Sequence, residues 1–199
     1  VREMQHKMSR IIYVAHSQVI VLGEELAKNG VRDALDFFAR APEARMTLNI
    51  FVAKGKAKDV LDVKPEFEKM TSTELMKILK DQKITSQAPI VTEFEFALNM
   101  ISKTTAAVAP IVCITSDGEK DRLTVSGCAV FKQSVMVGEM DKNETRGLLF
   151  VKNNVKAGVL QLDVLDTPAT IEIRKAKSKV TPVLYTDGRT EFNVETELT

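Results

Sequence analysis

Val19-Ile20-Val21-Leu22 is an unbroken apolar run of strand length closed by Gly23, and the pattern that follows it changes period. Glu24 to Lys28 reads as a short helix with acids in its first turn, where the helix dipole favours them, ended by Asn29-Gly30. Val31, Ala34, Leu35 and Phe38 fall on one helical stripe that stops near Pro42. Met46, Leu48, Ile50 and Val52 alternate with Arg45, Thr47, Asn49 and Phe51, which predicts a half-buried strand. Ala57, Val60 and Leu61 predict a short helix before Pro65. Upstream of all this, Met4, Met8 and Ile11 or Ile12 follow a helical stripe.

The middle of the chain is helical. Thr71-x-x-Glu74 has the spacing of a capping box, opening a helix with Leu75, Ile78 and Leu79 inward. Asp81 to Pro89 reads as a polar connector. Thr92-x-x-Glu95 is a second box, with Phe94, Leu98 and Ile101 on one face. From Ala106 onward strands dominate. Ala106–Thr115 and Arg122–Phe131 flank the turn signal Ser116-Asp117-Gly118, and Val135–Gly138 is a short strand. Asp141-x-x-Glu144 is a third box, before Leu148 and Leu149. Strands are expected at Val159–Leu165, Thr170–Arg174, Lys179–Tyr185 and Thr190–Leu198, the last two joined by Asp187-Gly188. The fold class is α+β: a helix-rich first half with a small sheet, then an antiparallel strand-rich second half. The expected division is an N-terminal region, 1–121, incomplete at its start, and the first part of a C-terminal region, 122–199, incomplete at its end.

Composition narrows the function classes. The chain has 199 residues, 44% of them apolar, enough for a packed core. Lys and Arg number 28 against 27 Asp and Glu, and a net charge of +1 gives no global attraction to nucleic acid. No apolar run approaches the roughly 18–20 residues needed to cross a bilayer. Cys113 and Cys128 both sit in apolar strand-like runs and read as buried thiols, with a cross-strand disulfide as the alternative.

Residues able to carry chemistry are few. His16 precedes an apolar strand without an identifiable acid–base partner and reads as structural; His6 reads as a surface residue. Two histidines and two cysteines without ligand spacing argue against zinc. Lys54-Gly55-Lys56-Ala57-Lys58 superficially suggests a phosphate loop but lacks the glycine spacing and the Lys-Ser/Thr ending, so it reads as a turn. Asp36, Arg40, Glu43 and Arg45 cluster at a helix end, either as a charged network or as a partner-facing patch. Arg174 to Lys179 is the one basic run. Lys175, Lys177 and Lys179 share one face of an extended chain, but Val180 breaks the parity set by Ile171 and Ile173, so a strand end or bulge is expected between. Those lysines either blunt a sheet edge or touch anionic lipid.

The segments taken together resemble the Ger(x)C family, the C subunits of spore germinant receptors. The resemblance rests on His16 to Gly30, on Asp33 to Arg40, and on Val52 to Leu61 in the first part. In the second it rests on Gly127-Cys128-Ala129-Val130-Phe131-Lys132, Met136-Val137-Gly138 and Glu144-Thr145-Arg146-Gly147-Leu148-Leu149. It implies a lipoprotein subunit, anchored through a lipid-modified cysteine outside this stretch to the outer face of the spore inner membrane. It implies two membrane-embedded partner subunits and a role in nutrient-triggered germination. It supplies no catalytic residue, cofactor or metal. A non-enzymatic subunit working through protein contacts is the resulting expectation; a germinant-binding module is the alternative. Gly23, Gly55, Gly127, Gly138 and Gly147, with Asp36, Arg40 and Arg146, are expected to hold the architecture, and Arg40 and Arg146 are also the interface candidates.

Overall fold

The computed structural model describes residues 16–40, 47–118, 120–164 and 167–199. The stripe at Met4, Met8 and Ile11 or Ile12, together with His6, Pro42, Glu43, Arg45 and Met46, lies outside them.

Five strands form the central sheet: β1 (Val19–Leu22), β2 (Asn49–Ala53), β3 (Ala107–Ser116), β4 (Asp121–Lys132) and β5 (Val135–Met140), in that spatial order. β1 pairs with β2 in parallel, Ile20 opposite Ile50, and β2 pairs with β3 in parallel, Val52 opposite Ile111. β3–β4 and β4–β5 are antiparallel. The β3–β4 hairpin straddles residues 121 and 122, so both sequence regions contribute strands to one sheet. β5 continues through Gly138, which pairs with Val130, as far as Met140.

β2 corrects the alternating pattern. All five of its residues are buried, because a central strand flanked in parallel is covered on both faces. Ile50 and Val52 join one core with Ile20, Leu22, Phe131 and Met136, while Phe51 and Ala53 join another with Val112, Leu123 and Val125. The first core is covered by α1 (Glu24–Asn29), α2 (Arg32–Arg40) and α5 (Glu93–Ile101), through Ala27, Leu35, Phe96 and Met100. Phe96 meets Phe131 edge to face, ring centroids 4.9 Å apart. The second core is covered by α3 (Ala57–Asp62) and α4 (Thr71–Thr85), through Val60, Leu75 and Leu79.

α4 departs from the expected connector. It runs to Thr85, and Gln82 and Ser86 are buried in the segment read as polar linker. Their side chains explain this. Gln82 donates to Val125 O and accepts from Gln87 N, and the Ser86 hydroxyl donates to Ala157 O at 2.7 Å. Nor does the first capping box form. Met70 is the N-cap, the Thr71 hydroxyl donates to the carbonyls of Leu61 and Val63, and Glu74 accepts from Glu66 N. At α5 the Thr92 hydroxyl does accept from Glu95 N, but the buried face is Glu93, Phe96 and Met100, leaving Phe94, Leu98 and Ile101 outside.

α6 (Lys142–Val151) opens with both halves of its capping box in place. It packs on β4, where buried Thr145 donates to Cys128 Sγ at 3.4 Å. Beyond it lie two antiparallel ribbons, β6 (Gly158–Val164) with β7 (Thr167–Ile173), and β8 (Ala176–Leu184) with β9 (Thr190–Leu198). Leu149, Val155 and Ile173 form a small third core under α6. Asn153 ties β8 to this helix end with two bonds, accepting from Ser178 N and donating to Ser178 O.

Candidate functional site

The two arginines singled out in the sequence have different surroundings. Arg40 lies at the exposed end of α2, where its Nε donates to Asp36 Oδ2 at 2.6 Å, an i, i+4 pair. The Asp36 carboxylate raises the Arg40 pKa from its ordinary value. Arg146 turns toward the protein. Its Nη1 donates to Val159 O at 3.0 Å and its Nη2 to Thr85 O at 3.3 Å, joining α6 to β6 and to the last turn of α4. A guanidinium at a helix C-terminus meets the negative end of the dipole. No carboxylate pairs with it among the described residues, and its Nε is buried without a hydrogen-bond partner.

The lysine-rich turn after β2 is held by an acid of the chain. Gly55 N donates to Glu24 Oε2 at 2.9 Å while Glu24 N donates to Gly55 O at 2.9 Å. Glu24 also accepts from Lys28 at 2.6 Å, and the Lys28 and Gly55 bonds lower its pKa. Lys54 binds both oxygens of Glu139 at 2.7 Å, which raises the lysine pKa. The turn is therefore tied to α1 through Glu24 and to β5 through Glu139, in keeping with its reading as a turn.

Both thiols are free. Cys113 faces Thr124 and Cys128 faces Pro110 in the β3–β4 register, so the two lie at separate positions along the ladder. Burial raises both of their pKa values, which favours the thiol over the nucleophilic thiolate. Among the described residues no group of three or more His, Cys, Asp or Glu is placed to hold a metal ion.

The basic run is interrupted as the parity predicted, with β7 ending at Ile173 and β8 starting at Ala176. On the ribbon, Lys177 lies opposite Glu197 and Lys179 opposite Glu195, so that face is balanced in charge rather than cationic. The opposite face is apolar. Val180 faces Val194 and Pro182 faces Phe192, with Phe192 64% exposed.

Of the glycines, Gly127 adopts φ +75° and donates its N–H to Gln87 O, whereas Gly138 and Gly147 have open space where a side chain would stand. Two further features lie on the surface around α5. One is the outward apolar stripe of α5. The other is a cavity of about 640 Å³ at its C-terminal end, lined by Arg32, Lys103 and Lys132 among others.

Two family models match the chain in order: the spore germination protein N-terminal domain over residues 1–114, and the spore germination B3/GerAC-like C-terminal domain over 126–199. Similar proteins of Bacillus subtilis include spore germination protein B3, 28% identical over 192 residues, with 92% of this chain and 49% of that protein aligned. The putative spore germination protein YfkR is 23% identical, with 88% of this chain and 46% of that protein aligned. The chain thus spans about half the length of these curated relatives. A crystal structure of the GerBC protein superposes with a TM-score of 0.64 at 23% identity, over 100% of this chain and 56% of that one. With N- and C-terminal family models matched in sequence order and the same fold seen in GerBC, the chain belongs to the Ger(x)C family of spore germination proteins.

Proposed function

We propose that the protein is a non-enzymatic subunit of a spore germinant receptor, acting by protein–protein contact at the membrane surface. The observation that carries this reading is the match to both germination-protein families, which together take in most of the chain. In this reading the partners are two membrane-embedded receptor subunits, and the protein is held by a lipid anchor on the outer face of the spore inner membrane. Arg40, exposed on α2, is available to a partner; Arg146 acts through the positions of α6 and β6. The division of labour between residues 1–121 and 122–199 belongs to the same proposal, with the shared sheet keeping the two regions in fixed register.

The test is affinity purification of the tagged full-length protein from detergent-solubilised spore membranes. Recovery of the membrane-embedded receptor subunits, with loss of nutrient-triggered germination on gene deletion, is the expected result. Normal nutrient germination in the deletion strain, or no co-purifying receptor subunit, would overturn the reading. Calorimetric titration of the purified protein with amino acids and sugars addresses the alternative. Saturable heat would make it a germinant-binding module.

A further inference from the structure

α5 is apolar on two faces, and among the described residues one is packed into the core while the other is exposed. Phe96 and Met100 are buried, while Phe94, Leu98 and Ile101, at i, i+4 and i+7, are 49%, 49% and 69% exposed. The seven steps from Phe94 to Ile101 carry this stripe about 10 Å along the surface. An uncovered row of large apolar side chains of this kind marks an interaction surface.

The stripe leads into the 640 Å³ cavity, to which Ile101 itself contributes. The cavity lies between the connector after α5, the β4–β5 turn and the start of α2. Met100 and Phe131 line its apolar side, and Val137, 60% exposed, adds to the lining. Arg32, Lys103 and Lys132 contribute three positive charges, and no Asp or Glu among the described residues lines the cavity. None of these cations forms an ion pair among the described residues, whereas Lys28, Lys54, Lys77 and Arg122 all have acidic partners. Overall charge does not explain the cluster, because the chain is nearly neutral. A concave site lined by one sign of charge concentrates the opposite sign.

We propose that this surface docks a segment of a protein partner with apolar side chains at helical spacing, followed by carboxylates. The apolar side chains would lie along Phe94, Leu98 and Ile101, and the carboxylates would enter the cavity toward Arg32, Lys103 and Lys132. An elongated stripe ending in a charged concavity suits an amphipathic helix laid along it better than it suits a flat bilayer. The inference rests on the reading of the protein as a receptor subunit that works through protein contacts, and it names the contact.

The experiment places a photo-activated cross-linking residue at Leu98, at Ile101 and, for comparison, at Lys177 on β8, in the tagged full-length protein within spores. Leu98 and Ile101 are expected to capture a receptor subunit through an apolar–acidic peptide, identified by mass spectrometry. The pair Lys103→Glu and Lys132→Glu is expected to lower that yield by about tenfold or more, since reversing charges at a desolvated contact replaces attraction with repulsion. An unchanged circular dichroism spectrum and melting temperature would show that the variant is folded. Phospholipid as the sole cross-linked product overturns the proposal, as does a yield indifferent to charge reversal. Co-purifying receptor subunits with no protein product at Leu98 or Ile101 overturn it while leaving the receptor-subunit reading intact. Absence of co-purifying subunits overturns both.

Discussion

Gly127 and Met140 approach so closely that a β-carbon on Gly127 would stand 2.5 Å from the Met140 carbonyl oxygen. The obstacle is backbone, so no rotamer change relieves it, and the φ of +75° adds strain for any L side chain. Gly127→Ala is expected to lose about 1–3 kcal/mol from backbone strain alone, with the clash adding to it. Urea unfolding measures this. Gly138→Ala, with nothing within 4 Å of where the added methyl would stand, is the companion and should stay within about 0.5 kcal/mol of the parent protein. Equal losses at both sites would contradict the close approach.

Gly147 gives the opposite sign. It lies inside α6 with open space where a β-carbon would stand. Gly147→Ala should raise stability by about 0.5–1 kcal/mol, because alanine loses less backbone freedom in a helix. A higher denaturation midpoint at unchanged m-value is the expected readout.

The two candidate arginines should separate by their effects on stability. Arg146→Ala removes bonds to Thr85 O and Val159 O and is expected to cost about 1.5–3 kcal/mol, the range for hydrogen bonds to a charged group. Hydrogen exchange should rise in β6 and at the end of α4 first. Arg40→Ala, at an exposed ion pair, should leave the unfolding midpoint nearly unchanged. A large stability loss at Arg40 with none at Arg146 would reverse the assignment.

The helix stripes show what patterning could reveal and where it stopped. Asp141-x-x-Glu144 formed its box because both side chains were free to turn back on the backbone. Thr71-x-x-Glu74 had the same spacing, but its two side chains bind Leu61, Val63 and Glu66 from the preceding segment. In α5 both faces are apolar, so the 3.6-residue period cannot choose between them. The rotation of the helix accompanies a contact distant in sequence, Glu93 N donating to Leu48 O at 2.7 Å. The hairpin turns at Ser116–Gly118 and Asp187–Gly188 were legible because their chemistry is local. The parallel pairing of β1, β2 and β3 was not, since it joins strands with whole helices between them.

Glu93 supplies a pH dependence. It is 3% exposed, and burial raises its pKa above the usual carboxylate value. The folded protein therefore holds this proton at pH values where the unfolded chain has released it, and stability falls as pH rises through that window. Glu24 works the other way: with its pKa lowered, its contribution is present above the ordinary carboxylate pKa and fades as pH drops through the folded value. Glu93→Gln should raise stability at neutral pH and flatten the slope just above the ordinary glutamate pKa, read from urea midpoints across a pH series. A slope identical in the variant would remove Glu93 as its source.

The shared sheet also bears on the order of folding. β3, β4 and β5 are joined by short turns, so little loop-closure entropy opposes their pairing. β1 and β2 meet their neighbours only after the intervening helical segments have been gathered in, which makes their contacts high in sequence separation and slow to form. The three-strand meander is thus the natural template, and the first two strands are late arrivals on its edge. A chain severed at residue 121 would deprive the first strands of much of the surface on which they assemble.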